Sequence, residues 1–303
     1  MYLTKLKTVL ILIPLPSIMS QSTEAPNIIL ATRLHLGRQS TPPSQEKIND
    51  MIQTFLENTV SINASKSVIA VDSETKIEGY DYPSVVEKIL SRKTYQTFQD
   101  VDCSVLRVTP WGSFVPALNA LISWACKNRD KGGSWVIVFI SAEMSLGGSS
   151  CAELIQHMNV EDTLVVGAAL PGHDFHGSEY GHEVELNGRT CPWNTLAMWN
   201  LEKLALIGFP LVGDGLHMFQ DGTVAPGGIE EFATVLLHQR MDLQRTSTKA
   251  KLVKVSGIEW DETFEDEDRR KWHEEKMNSK NTRAEVHRRL LGGGHGTVFH
   301  YSK

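Results

Sequence analysis

The chain is 303 residues long, carries a formal net charge of -6, and is 41% hydrophobic. That length and apolar fraction admit one large α/β domain, or two small ones, with a substantial core. The negative balance, with Lys and Arg scattered outside the C-terminal segment, argues against nucleic acid as the main partner, because phosphate-tracking surfaces are basic. The four cysteines, Cys103, Cys126, Cys151 and Cys191, show no CxxC spacing and read as structural thiols.

At the N-terminus, Lys5 and Lys7 precede an apolar stretch over residues 8–19. This is the pattern of a secretory signal ending near Ser20, and equally of an apolar lead-in packed on the domain. Pro14 and Pro16 interrupt a stretch that is already too short to span a membrane as a helix. The expected location is the cytoplasm, or the secretory pathway if residues 1–20 are a signal.

Residues 27–32 (NIILAT) form a first strand, and after a polar loop Ser44 caps a helix. In that helix Ile48, Met51, Ile52, Phe55 and Leu56 recur at helical spacing. Residues 67–71 make a second buried strand ending on Asp72. A helix over 82–90 leads to a third strand, 104–108. The next helix has Ser113 as its expected cap, Pro116 in its first turn and Leu118, Leu121, Ile122 and Ala125 on one face.

The unbroken apolar run that starts at Trp135 is a fourth strand, buried on both faces, which ends in Ser141, Ala142 and Glu143. Glu143 therefore looks into the crevice where open α/β sheets take their ligands. A helix over 151–158 and a strand over 163–167 complete an alternation expected to lie in one parallel sheet. Neither GxGxxG after the first strand nor GxxxxGK[ST] is present, and Gly147 to Ser150 is no GxSxG elbow.

Residues 171–189 are rich in Gly and His and read as a long loop in which His173, His176 and His182 match no standard zinc spacing. A strand over 195–199 precedes Asn200, which caps a short helix ended by Gly208. A Gly-rich loop over 212–228 then delivers Glu230 and Glu231 into the first turn of a helix with Ile229, Phe232, Ala233, Leu236 and Leu237 on one face. Carboxylates are favoured there by the helix dipole alone, and Asp72 at a strand end suits a turn equally well. After a strand over 251–255, residues 259–303 form a charged helical tail packed on the domain.

The order of these motifs resembles the inverting family 2 glycosyltransferases of the GT-A fold. The resemblance covers residues 27–258, including the PALNALISWA helix with Asn119 and the CPWNTLAMWNLEKLALIGF segment. It implies a three-layer α/β/α sandwich with a mostly parallel central sheet. It further implies that Thr32, Asp72, Asn119 and Glu143 contact a nucleotide-diphospho-sugar, and that Glu230 or Glu231 takes the proton of an acceptor hydroxyl.

Glu143, with His273, would hold Mg2+ or Mn2+ on the diphosphate. Ser141-Ala142-Glu143 offers one carboxylate where the family's DxD motif has two. The alternative expectation is therefore a catalytically degenerate GT-A domain that binds a nucleotide or a partner protein without turnover.

Overall fold

Strands with mostly apolar, buried centres alternate with one-faced helices through the first half. β1 (Asn27–Leu34), α1 (Gln45–Ser61), β2 (Lys66–Asp72), α2 (Tyr82–Gln96), β3 (Cys103–Val108), α3 (Val115–Asn128) and β4 (Trp135–Ile140) follow in order. Every residue of β4 is buried, as a run without polar positions requires. The computed structural model describes all residues except 1–24, 36–41, 75–76, 78, 216–217, 243–245, 261–270, 272–273, 276 and 303. The apolar lead-in over 8–19 and His273 thus lie outside the described residues.

β1 pairs in parallel with β2 on one side and with β4 on the other, and β2 pairs with β3. The direction of strand addition therefore reverses between β1 and β4. With right-handed crossovers, that reversal puts α1 and α2 on one face of the sheet and α3 on the other.

The second half contributes β5 (Met144–Leu146), α4 (Gly148–His157), β6 (Thr163–Ala168), β7 (His182–Glu185), β8 (Leu196–Asn200) and α5 (Leu201–Leu204). It continues with α6 (Glu230–Met241), β9 (Lys249–Val253), β10 (Ile258–Trp260), α7 (Lys280–Leu290) and β11 (Thr297–Tyr301). The result is an α/β fold with a large, mostly parallel central sheet of nine strands in the order β3-β2-β1-β4-β8-β6-β9-β11-β7. β5 and β10 form a separate two-stranded ribbon.

Three features differ from the sequence reading. First, β6 does not lie beside β4, because β8 runs antiparallel between them. Second, the C-terminal segment is more than a helical appendage: β11 is a strand of the main sheet, parallel to β9 and antiparallel to β7. Third, α6 is embedded rather than one-faced, with Thr234, His238 and Gln239 buried alongside Phe232 and Leu236. Gln239 explains part of this, since its amide donates to the Thr297 carbonyl at 2.8 Å and accepts from the Thr297 N–H at 2.8 Å, anchoring the start of β11.

Two buried polar residues fix the loops that frame the sheet's carboxyl ends. Asn58 of α1 donates to the Met144 carbonyl at 2.7 Å and accepts from the Leu146 N–H at 2.9 Å, so β5 is gripped by a side chain. The α3 N-terminus is capped from a distance. Asp214, on a 3-10 turn (Leu211–Asp214), accepts from the N–H groups of Ser113, Phe114 and Val115 at 2.9, 2.5 and 2.8 Å. Ser113 itself makes no cap, because a carboxylate facing three unpaired donors at a positive helix end is the stronger acceptor.

Replacing Asp214 by Ala should lower the unfolding free energy by about 2–3 kcal/mol in urea titrations, since three N–H donors at the helix start, one of them buried, lose a charged acceptor. Asp214→Asn should recover part of the loss. An unchanged midpoint for both variants would show that this cap is not needed.

Candidate active site

The reversal of strand order between β1 and β4 opens a crevice beyond their carboxyl ends, the place where open α/β sheets take ligands. Thr32 lies at its floor. Its buried hydroxyl donates to the Ile140 carbonyl at 2.8 Å, tying β1 to the last residue of β4. Arg33, the next residue, donates to the Phe114 carbonyl at 3.2 Å and lies 5.6 Å from the centre of that ring.

Asp72, the last residue of β2, is buried and accepts from the Glu74 N–H at 2.9 Å. Glu74 in turn accepts from the Trp111 N–H at 2.6 Å, and the Trp111 ring lies 6.1 Å from His35. Arg33 and Glu74 were absent from the expected set. Arg33 carried a legible signal, being the one charged residue of a buried strand and placed at its carboxyl end.

Asn119 and Glu143 take different places. Asn119 uses its whole amide on the backbone of Phe209, donating to the carbonyl at 2.9 Å and accepting from the N–H at 2.8 Å. Gly208, at φ +69°, lets the chain pass so close that an added Cβ would lie 2.8 Å from the Asn119 carbonyl oxygen. Glu143 is exposed and accepts from the Ser141 hydroxyl at 3.3 Å. It lines a cavity of about 420 Å³ with Ser44, Glu46, Lys47 and Asp50 at the start of α1. Among the described residues, no three His, Cys, Asp or Glu side chains converge as a metal ion's ligands would.

Glu230 and Glu231 are both buried in the first turn of α6, where no side chain caps the helix. Gly213 of the 3-10 turn packs on Glu230 so tightly that a Cβ there would meet its Cβ at 2.8 Å. Glu231 accepts from the Asn194 N–H at 2.5 Å. Burial, chiefly, pushes its carboxyl up to about 7; the charge of Glu230 adds to this, and Lys280 with the Asn194 N–H opposes it. A carboxylate with that proton affinity is suited to take a proton near neutral pH.

The two acidic regions are joined by consecutive residues. Asn194 holds Glu231, and the carbonyl of Thr195 accepts from the Ser141 N–H at 2.9 Å, which fixes the turn that carries Glu143. On the crevice side, Phe114 accepts from Arg33 while its own N–H is held by Asp214, next to Gly213 and so to Glu230.

The histidines of the Gly-rich loop do not converge. His173 stacks on Trp193 with ring centres 3.6 Å apart, accepts from the Leu170 N–H, and faces the Cys191 carbonyl with its other nitrogen. Burial drives its pKa down to about 3, so it is a neutral packing residue. His182 belongs to β7, opposite His300.

The raised affinity of Glu231 has a consequence for stability. Between the ordinary carboxyl value of 4.5 and about 7, the folded protein binds a proton that the unfolded chain does not. This contribution is fully present below 4.5 and is lost as pH rises through about 7. Glu231→Gln should therefore flatten the fall in melting temperature between pH 5 and pH 8 and be the more stable form at the upper end. A slope identical to the wild type would show that Glu231 titrates normally.

No protein-family model matches the chain, and no curated protein matches it. Among solved structures it is similar to a 4-diphosphocytidyl-2C-methyl-D-erythritol synthase from Anaerococcus prevotii DSM 20548, at 8% identity and a TM-score of 0.45, covering 86% of this chain and 98% of that one. A second 4-diphosphocytidyl-2C-methyl-D-erythritol synthase matches at 10% identity and a TM-score of 0.37, over 76% of this chain and 89% of that one. HddC from Yersinia pseudotuberculosis matches at 10% identity and 0.35, over 65% and 87%. Similarity at that level says nothing about the chemistry of this chain.

Proposed function

We propose that the protein transfers a sugar from a nucleotide-diphospho-sugar to an acceptor hydroxyl with inversion. The observation that carries this reading is the pairing at residues 194 and 195. One backbone group there holds a buried carboxylate of near-neutral proton affinity, and its neighbour holds the acidic turn at the end of the central strand.

In this reading Asp72 accepts hydrogen bonds from the nucleobase and Glu143 faces the diphosphate. Glu231, or Glu230 beside it, takes the proton of the acceptor hydroxyl as its oxygen bonds to the anomeric carbon. The bond from that carbon to the diphosphate oxygen breaks, and the nucleoside diphosphate departs with the electron pair. Thr32 and Asn119 frame the site through their backbone contacts.

A hard cation takes several oxygen ligands, and Glu46 and Asp50 line the same cavity as Glu143 without converging with it as a ligand set, so a cation there would draw most of its oxygens from the diphosphate and water. Mg2+ or Mn2+ held by Glu143 would neutralise charge on the leaving diphosphate.

A second reading, a nucleotide-binding or partner-binding domain without turnover, is favoured by one observation. Glu231 already accepts a short hydrogen bond from the backbone and is covered, which suits a structural carboxylate.

Isothermal titration with UDP- and GDP-sugars, with and without Mn2+, separates the outcomes. The proposal expects binding that Mn2+ tightens, and transfer whose kcat/KM rises with pH through about 7, because the base acts ionised. Glu231→Gln should cost on the order of 10²–10⁴-fold in transfer while leaving donor affinity within about twofold. The absence of nucleotide binding under either condition would sink the first reading, and binding without transfer, indifferent to Glu230→Gln and Glu231→Gln, would favour the second.

A further inference from the structure

Five arginines among the described residues are half-buried, and they divide into two kinds. Arg129, Arg189 and Arg288 each pair with a carboxylate: Glu202 at 3.1 Å, Asp174 at 3.1 Å and Glu185 at 2.8 Å. Arg33 and Arg283 have no carboxylate partner among the described residues. Each gives one donor to a backbone carbonyl, Arg33 to Phe114 at 3.2 Å and Arg283 to Gly227 at 2.9 Å.

These two meet at one side chain. The Phe114 ring centre lies 5.6 Å from the Arg33 guanidinium carbon. Gly228, at φ +90°, brings in the other: a Cβ there would lie 3.2 Å from Arg283 Nη1 and 3.3 Å from the Phe114 ring. An arginine from the carboxyl end of β1 and one from α7 thus border the same aromatic residue, where the crevice meets the loop that leads into α6.

A guanidinium carries five donors in a planar fork. Holding one half-buried against a single neutral acceptor leaves most of that capacity unmet, which is unfavourable without a further partner. In a chain of formal net charge -6, carboxylates are in surplus, and the other half-buried arginines take them. The carboxylates that border this crevice are turned to backbone donors instead. Asp214 accepts from three N–H groups at the start of α3, and Glu74 accepts from the Trp111 N–H. The pair therefore presents positive charge and open donors together, in the planar form that matches phosphate oxygens two at a time.

We propose that Arg33 and Arg283 form one anion subsite around Phe114, and that its ligand is the diphosphate of the donor. Naming the diphosphate rests on the transfer reading above; the anion subsite does not. Ser141-Ala142-Glu143 offers a cation a single carboxylate, so part of the positive charge that the diphosphate needs comes from the chain itself. As the bond to the anomeric carbon breaks, charge develops on the departing diphosphate, and fixed guanidiniums stabilise it without reorganising. α7 is then part of the donor site as well as a support for α6.

Isothermal titration of the intact protein with inorganic pyrophosphate in EDTA tests this without a sugar, a cation or turnover. Saturable binding is expected, weakened about tenfold or more in Arg33→Gln and in Arg283→Gln, each of which keeps an amide donor for its carbonyl while losing the charge. Arg92→Gln, at an exposed position of α2, should bind like the wild type. No pyrophosphate binding by the wild type, or undiminished affinity in both Arg33→Gln and Arg283→Gln, would overturn the proposal.

Should either variant not fold, the wild type decides: pyrophosphate should shift the backbone amides of Phe114 and Gly228, and binding that leaves both unmoved would equally overturn it. Pyrophosphate held by the pair in a protein that transfers no sugar would remove the proposed function and leave the anion subsite standing. Sugar transfer with unchanged kcat/KM in both variants would do the reverse.

Discussion

The sheet is one structure because β8 is hydrogen-bonded on both sides. Met198 of β8 faces Val138 of β4 on one edge and Val166 of β6 on the other, with every residue of the strand buried. A strand in that position joins a parallel half-sheet, β3-β2-β1-β4, to the half containing β6, β9, β11 and β7. Its ends matter as much as its middle. Asn200 caps α5 and donates to the Val160 carbonyl at one end. At the other, Asn194 and Thr195 hold Glu231 and the Ser141 turn. The interaction that unites the fold thus also sets two acidic elements in fixed relation.

What gathers around that junction is an unusual concentration of buried charge. Carboxylates are rarely fully buried unless paired. Here two consecutive ones stand at a helix start, where the dipole favours negative charge. Asp214 uses the same physics at α3, accepting from three N–H groups. The two helix starts meet through the 3-10 turn, with Asp214 on α3 and Gly213 against Glu230. Local strand and helix propensities specify the layers; these long-range polar contacts fix the loops between them.

The strands were legible where the sequence is apolar at each position. Val136 and Ile137 can be buried only between two helical layers. The orientation of β8 was not legible, because an apolar run buries equally well in either direction and only its partners decide. β11 was hidden for another reason. Val298 and His300 face inward while Thr297, Phe299 and Tyr301 are half-buried, and an inward histidine breaks the apolar alternation that marks a strand. His300 is accommodated by stacking on Phe175 and by hydrogen bonds to the His176 N–H and the Thr190 carbonyl. Of the site, Asp72, Glu143 and the glutamate pair could be named from their positions at element ends. Asp214 could not, because it acts on partners about 100 residues away in sequence, a distance over which periodicity carries no information.

The central claim is that the crevice between β1 and β4 takes a nucleotide whose sugar is directed toward the α6 N-terminus. The most direct measurement is a backbone amide NMR titration with a UDP- or GDP-sugar. The account predicts saturable shifts at Arg33, Glu74, Trp111 and Glu143, extending to Asn194 and Glu231 only when the sugar is attached to the nucleotide. Shifts that leave the carboxyl ends of β1, β2 and β4 untouched and fall elsewhere on the surface would contradict it.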